Sequence, residues 1–129
     1  MDPQPIIATA GEAIVATGAR IAVHEWRHGA GGGPALHIHH EDDEAWHVLE
    51  GVLLFRFADR TIEARAGTTV FVPAGVAHTF HNPGPDEVRY LIITTRRVLD
   101  LISSLHSPEA ASPETIAEIW RGHHSEVVE

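Results

Sequence analysis

The feature that most limits what this chain can fold into is its punctuation. Between residues 12 and 95 the apolar residues come only in short runs, each closed by a turn signal. Ile14-Val15 and Ile21-Ala22-Val23 are split by Gly18, and residues 29–34 then place four glycines among six positions. Such a stretch has nothing to pack and much backbone entropy to lose, so it is a loop. Alternation of apolar and polar residues resumes at 37–39 and 44–49, turns at Glu50-Gly51, and continues through 52–57 with Leu53, Phe55 and Phe57 on one face. Further strands are predicted at 61–64, 69–72, 77–81 and 89–95, separated by Gly67, by residues 73–75 and by residues 82–85. About eight or nine short strands with this frequency of turns describe an all-β fold, a sandwich or a barrel.

The period changes after Arg97. Val98, Leu101, Ile102 and Leu105 stand at i, i+3, i+4 and i+7, the stripe of an amphipathic helix. A second short helix is predicted from Ser112 as N-cap, Pro113 at the first helical position and Glu114 in the first turn; Ile116 and Ile119 supply its apolar face and Gly122 its stop. The expectation is one domain over residues 1–129: a β portion over about 12–96, two short C-terminal helices over about 97–122, and a loose end to Glu129. No internal repeat aligns.

Composition removes several classes of function. All nine basic residues are Arg, there is no Cys, and no Ser precedes position 103. Schiff-base and phosphate-loop lysines, thiol nucleophiles and disulfide frameworks are therefore excluded. A formal net charge of -9, with no basic cluster larger than Arg96-Arg97, gives nucleic acid no footprint. The apolar runs fall far short of the roughly 20 residues that cross a bilayer, and the start Met1-Asp2-Pro3-Gln4-Pro5 has no basic segment leading into an apolar one. A cytoplasmic protein without membrane contact is expected.

What remains is imidazole chemistry, for the chain has 11 histidines. His37 and His39, at i and i+2 on a strand, project from one face about 7 Å apart at the backbone, near enough to share one ion. Glu44, five residues on, can return to that ion after a short bend, and His78, just past the turn at 73–75, is the best candidate for a fourth ligand. Three imidazoles and a carboxylate suit one divalent transition metal, whether iron, manganese, nickel, cobalt, copper or zinc, and leave one or two positions of a six-coordinate sphere open.

The spacing adds to this. The first segment reads Gly31-x5-His37-x-His39-x4-Glu44-x6-Gly51, and the second Gly67-x5-Pro73-x-Gly75-x2-His78-x3-Asn82. Both resemble the two sequence motifs of the cupin superfamily, complete at every signature position. The resemblance implies a small β-barrel of the jelly-roll type holding a metal on His37, His39, Glu44 and His78. The flanks are similar to those of small single-domain cupins of the quercetin dioxygenase type. That implies a metal-dependent dioxygenase for a small organic molecule, with Glu44 accepting the substrate proton. Metal-dependent isomerisation, cyclisation or lyase chemistry without oxygen, with Glu44 or Tyr90 as base, and a barrel that only binds a ligand are the alternatives.

Alternation sorts the neighbours. If Glu44 points inward, so do Trp46 and Val48, while Ala45 and His47 face away; if His78 points inward, so do Phe80 and Asn82, while His81 faces away. Alternation turns Trp46 and Phe80 toward an apolar cavity beside the metal, with Tyr90 a candidate to place its hydroxyl there, and core packing is the favoured reading for each. His24 and His28 lie near the mouth with nothing to fix them, and His40, His106, His123 and His124 are read as solvated, as is the acidic turn Glu41-Asp42-Asp43. Arg56, Arg60 and Arg65 either balance acidic neighbours or turn inward to hold a substrate carboxylate. Residues 52–57, apolar on both faces, leave surface that a homodimer would bury.

Overall fold

Strands and helices follow the turn signals closely. The structure, a computed structural model, describes residues 3–129, and Met1 and Asp2, part of the N-terminal stretch read above, lie outside the described residues. In chain order the elements are β1 (Val15–Thr17), β2 (Ile21–His28), β3 (His37–His39), β4 (Glu44–Glu50), β5 (Val52–Phe57), β6 (Thr61–Arg65), β7 (Thr69–Val72) and β8 (His78–His81). They continue with β9 (Val88–Thr95), α1 (Arg96–Leu105), α2 (Pro113–Gly122) and β10 (Ser125–Val127).

The strands form two antiparallel five-stranded sheets, ordered β1-β2-β9-β4-β7 and β10-β3-β8-β5-β6. Among the described residues the sheets are not hydrogen-bonded into one closed barrel; they face each other across a shared core, in the jelly-roll manner. The chain passes from one sheet to the other at Gly51. That glycine has φ 82°, and a Cβ on it would stand 2.7 Å from the Glu87 carbonyl oxygen, so only glycine makes the turn. Strict alternation then fills the interior: Trp46, Val48, Val88, Tyr90 and Ile92 come from the first sheet and Leu53, Phe55 and Ala64 from the second.

Both helices begin where their caps predict. The Thr95 hydroxyl accepts from the Val98 N–H at 3.2 Å, and the Ser112 hydroxyl accepts from the Thr115 N–H at 3.1 Å, ahead of Pro113 in the first turn. The helix α1 lies against β2 and β9 and α2 against β10, and they bury Val98, Leu101 and Trp120.

Two expectations need correction. The C-terminal end is not loose: β10 pairs antiparallel with β3, setting Ser125 opposite His39 and Val127 opposite His37. The three-residue β3 would otherwise leave an unpaired edge beside the histidines, and β10 covers it. The Glu129 carboxylate completes the fastening, accepting from the Leu36 N–H at 3.0 Å and from Arg56 Nη2 at 2.7 Å.

The acidic turn is only partly solvated. Asp42 is 6% exposed, Arg97 at the start of α1 reaches Glu41 at 2.8 Å and Asp42 at 3.6 Å, and Asp43 Oδ1 accepts from the Ala74 N–H at 2.9 Å. The run ties α1 and the turn at 73–75 to the loop between His39 and Glu44. Nor does any of the three arginines turn inward: Arg56 pairs with Glu129, Arg65 with Glu63, and Arg60 lies over the Phe57 ring, 6.0 Å from its centre.

Candidate metal centre

His37 and His39 share the inner face of β3, as their i, i+2 spacing dictates, and each is 4% exposed. The register of β3 and β8 sets His37 directly opposite His78, the first residue of β8. Glu44 comes from the other sheet, where it opens β4 and is flanked by Val72 of β7 and Thr94 of β9. The four side chains meet between the sheets, and their ligand atoms all lie within 4.8 Å of one another. Glu44 Oε1 stands 3.1 Å from His39 Nε2 and 3.4 Å from His78 Nε2.

Hydrogen bonds fix two of the histidine tautomers. His37 Nδ1 lies 2.7 Å from the Ala35 carbonyl oxygen and His78 Nδ1 lies 2.9 Å from that of Val76. A carbonyl can only accept, so both Nδ1 atoms carry the proton and both Nε2 atoms present a bare lone pair. His39 is held by a longer chain: its Nδ1 lies 2.7 Å from the Ser125 hydroxyl, which also reaches the His123 carbonyl at 3.2 Å, and its Nε2 lies 3.1 Å from Glu44 Oε1. Three imidazole nitrogens and a carboxylate oxygen thus converge in one buried space, the donor set that suits a divalent cation. His78 Nε2 is accordingly a buried polar atom with no hydrogen-bond partner. The residues present fit one divalent metal ion.

The electrostatics agree. Burial, assisted by the neighbouring His78, lowers the His37 imidazole to about 4, so it is neutral and ready to ligate at pH 7. Burial raises the Glu44 carboxyl, but His39 and His78 beside it outweigh that and the net shift is downward, toward the carboxylate.

A cavity of about 750 Å³ opens beside this cluster, touching His37, His39 and Glu44. Its walls are largely apolar: Trp26, Phe80 and Ile92 from the sheets, and Leu101, Ile116 and Trp120 from the helices. Phe80 and Tyr90 line it. Trp46 does not; it is fully buried behind His78, its ring 5.5 Å from the imidazole, and packs edge-on against Phe55 and Phe80. Inward orientation placed Trp46 correctly in the interior, but β4 faces the core at that level and not the opening. Asn82 is inward too and is a brace, donating to the His28 and Asp86 carbonyls and accepting from the Gly84 N–H.

Two residues at the site, Trp120 and Ser125, escaped the sequence reading, and a third, His28, was placed near the mouth but left unfixed. Trp120 roofs it, its ring 4.9 Å from that of His37 and 6.5 Å from that of His39. Ser125 holds His39, and His28 is fixed after all, by the Gly29 carbonyl and the Tyr90 hydroxyl. Trp120 had a signal, since it stands four residues after Ile116 on the same helix face.

Residues 22–94 match the family model described as Cupin domain, more than half of the chain. The chain belongs to the cupin family. Among curated proteins this cupin is similar to mannose-1-phosphate guanylyltransferase 2 of Escherichia coli O157:H7, 35% identical over 54 residues, and to an uncharacterized protein of Streptomyces coelicolor, 37% identical over 54 residues. Each match takes in 42% of the chain and spans 11% and 50%, respectively, of the relative's own length. Among solved structures it is similar to a cupin-2 domain containing protein from Shewanella frigidimarina, with a TM-score of 0.54 and 26% identity over 67% of this chain and 82% of that one. It is also similar to the polyketide cyclase RemF from Streptomyces resistomycificus, with a TM-score of 0.53 and 28% identity over 59% of this chain and 54% of that one.

Proposed function

We propose that this cupin is a metal-dependent enzyme for a small, largely apolar organic molecule bearing an ionisable oxygen, and that the reaction is a dioxygenation. The observation that carries the reading is the apolar cavity of about 750 Å³ that opens directly on His37, His39 and Glu44. A divalent metal on His37, His39, Glu44 and His78 would supply Lewis acidity to the substrate oxygen and, if redox-active, a path for electrons to dioxygen.

The protein's own groups supply the rest. Glu44 is the group placed to take the proton from a substrate enol or phenol at the cavity's end. Trp120, Leu101 and Ile116 of the helices close the space and exclude water, while Phe80 and Tyr90 border the substrate opposite the roof. A small-molecule substrate, a cytoplasmic location and a homodimer belong to the same reading, the dimer using the half-buried outer residues Val52 and Leu54 of β5.

A second reading, cyclisation or isomerisation without oxygen, is favoured by the similarity to the polyketide cyclase. Oxygen uptake by iron-loaded and zinc-loaded protein, assayed with flavonols and β-diketones, separates the two. The proposal expects uptake with iron that zinc and Glu44→Gln abolish. Product formed by the zinc protein without oxygen supports the second reading, and tight binding without turnover under either metal overturns the enzyme in favour of a ligand-binding barrel.

A further inference from the structure

The cavity has a second polar pair, set apart from the metal ligands. His28 ends β2 and Tyr90 lies on β9, where Trp26 is its direct partner across the strands; all three residues line the cavity. Thr94, the residue opposite Glu44, is four positions further along β9 than Tyr90, which puts the pair's backbone about 13 Å along the strand from the metal end.

In the neutral imidazole the Gly29 carbonyl sets the direction of both hydrogen bonds. His28 Nδ1 lies 2.9 Å from the Gly29 carbonyl oxygen, which can only accept, so Nδ1 carries the proton. His28 Nε2, 3.1 Å from the Tyr90 oxygen, must then accept the phenolic hydrogen. The rings meet edge to face at 5.6 Å, Phe80 backs the Tyr90 ring at 5.9 Å, and the imidazole is close to Gly32, where a Cβ would lie 3.7 Å from two of its ring atoms. Burial and the charge of Glu44 push the Tyr90 hydroxyl above its ordinary value, so it stays protonated.

With its hydrogen committed to His28, the Tyr90 oxygen offers the cavity lone pairs and no donor. The indole N–H of Trp26, on the same wall, is buried and has no hydrogen-bond partner. A bare acceptor in an otherwise apolar wall suits a ligand hydroxyl, which can donate to it.

We propose that Tyr90, positioned by His28 and neighboured by Trp26, is a specificity site for a ligand hydroxyl remote from the metal-binding oxygen. The ligand class is then a molecule with a chelating oxygen at one end, an apolar body and a hydroxyl at the other. This rests on the reading of the cavity as a substrate site beside a metal.

The test is a binding titration of zinc-loaded protein with 3-hydroxyflavone and its 2′-, 3′- and 4′-hydroxy derivatives. All four present the same hydroxyketone to the metal and differ only in the remote hydroxyl. At least one derivative is expected to bind about tenfold tighter than the parent compound, the size of one net hydrogen bond. Tyr90→Phe should erase that preference while leaving bound zinc unchanged. His28→Leu should weaken the preference by releasing the Tyr90 hydroxyl, and His28→Gln, which keeps an acceptor, should restore it.

Equal binding of all four compounds to the native protein, or a preference that survives in Tyr90→Phe, overturns the specificity site and leaves the cavity reading standing. Failure of 3-hydroxyflavone itself to bind overturns the cavity reading and the specificity site together.

Discussion

Ser125 is separated from His39 by 86 positions in the chain, and its hydroxyl holds the His39 ring through Nδ1. The other two imidazoles are oriented by carbonyls only two residues away, Ala35 for His37 and Val76 for His78, so their geometry is local and follows from the turns before them. His39 alone depends on a distant element. Ser125→Ala should therefore lower metal affinity by about 10- to 100-fold with all four ligands in place, the range found when such a supporting hydrogen bond is lost. Competition against a chelator of known affinity measures it, and unchanged affinity would mean that β3 alone orients the ring.

At the scale of elements, α2 and β10 form the half of the site that the motifs do not mention. Trp120, 6% exposed, lies over His37 and His39 and closes the cavity's roof. Trp120→Ala should cost about 3 kcal/mol or more in denaturant unfolding, because a buried indole is replaced by a void against the imidazoles. It should leave metal content intact, since Trp120 offers no ligand atom. A stability change near zero would place the helix outside the folded unit.

These elements also mark what was legible in the sequence. The caps Ser112 and Pro113 and the stop Gly122 are local signals, and α2 begins and ends on them. His37, His39 and Glu44 were legible because period-two geometry and a short bend bring them together within eight residues. His78 could be chosen only as the histidine following the turn at 73–75, with the motif resemblance to support it, because pairing of β3 with β8 is topology and not periodicity. The strand β10 was not legible: three residues are too few to show a period, and what makes them a strand is the open edge of β3. Asp42 was misread for the same reason, since the arginine that buries it arrives from α1.

In the whole molecule the cluster draws its side chains from both sheets. Glu44 belongs to the β1-β2-β9-β4-β7 sheet and the three histidines to its partner, so one ion would crosslink them through their side chains. Metal should therefore raise the melting temperature of the whole domain in a single transition. At about a thousandfold excess over Kd the stabilisation is about 4 kcal/mol. Scanning calorimetry of chelated and reloaded protein reads this, and an unchanged transition would mean that the ion, where bound, sits elsewhere.

The most direct test of the account is the metal content of untagged protein purified without chelator, beside His37→Ala and His78→Ala. With 11 histidines in the chain, content alone does not separate a built site from scattered binding, and the two variants do. The account predicts close to one divalent metal per chain in the native protein and its loss in both variants. Metal that is absent and cannot be reloaded, or that persists unchanged in both variants, would contradict it.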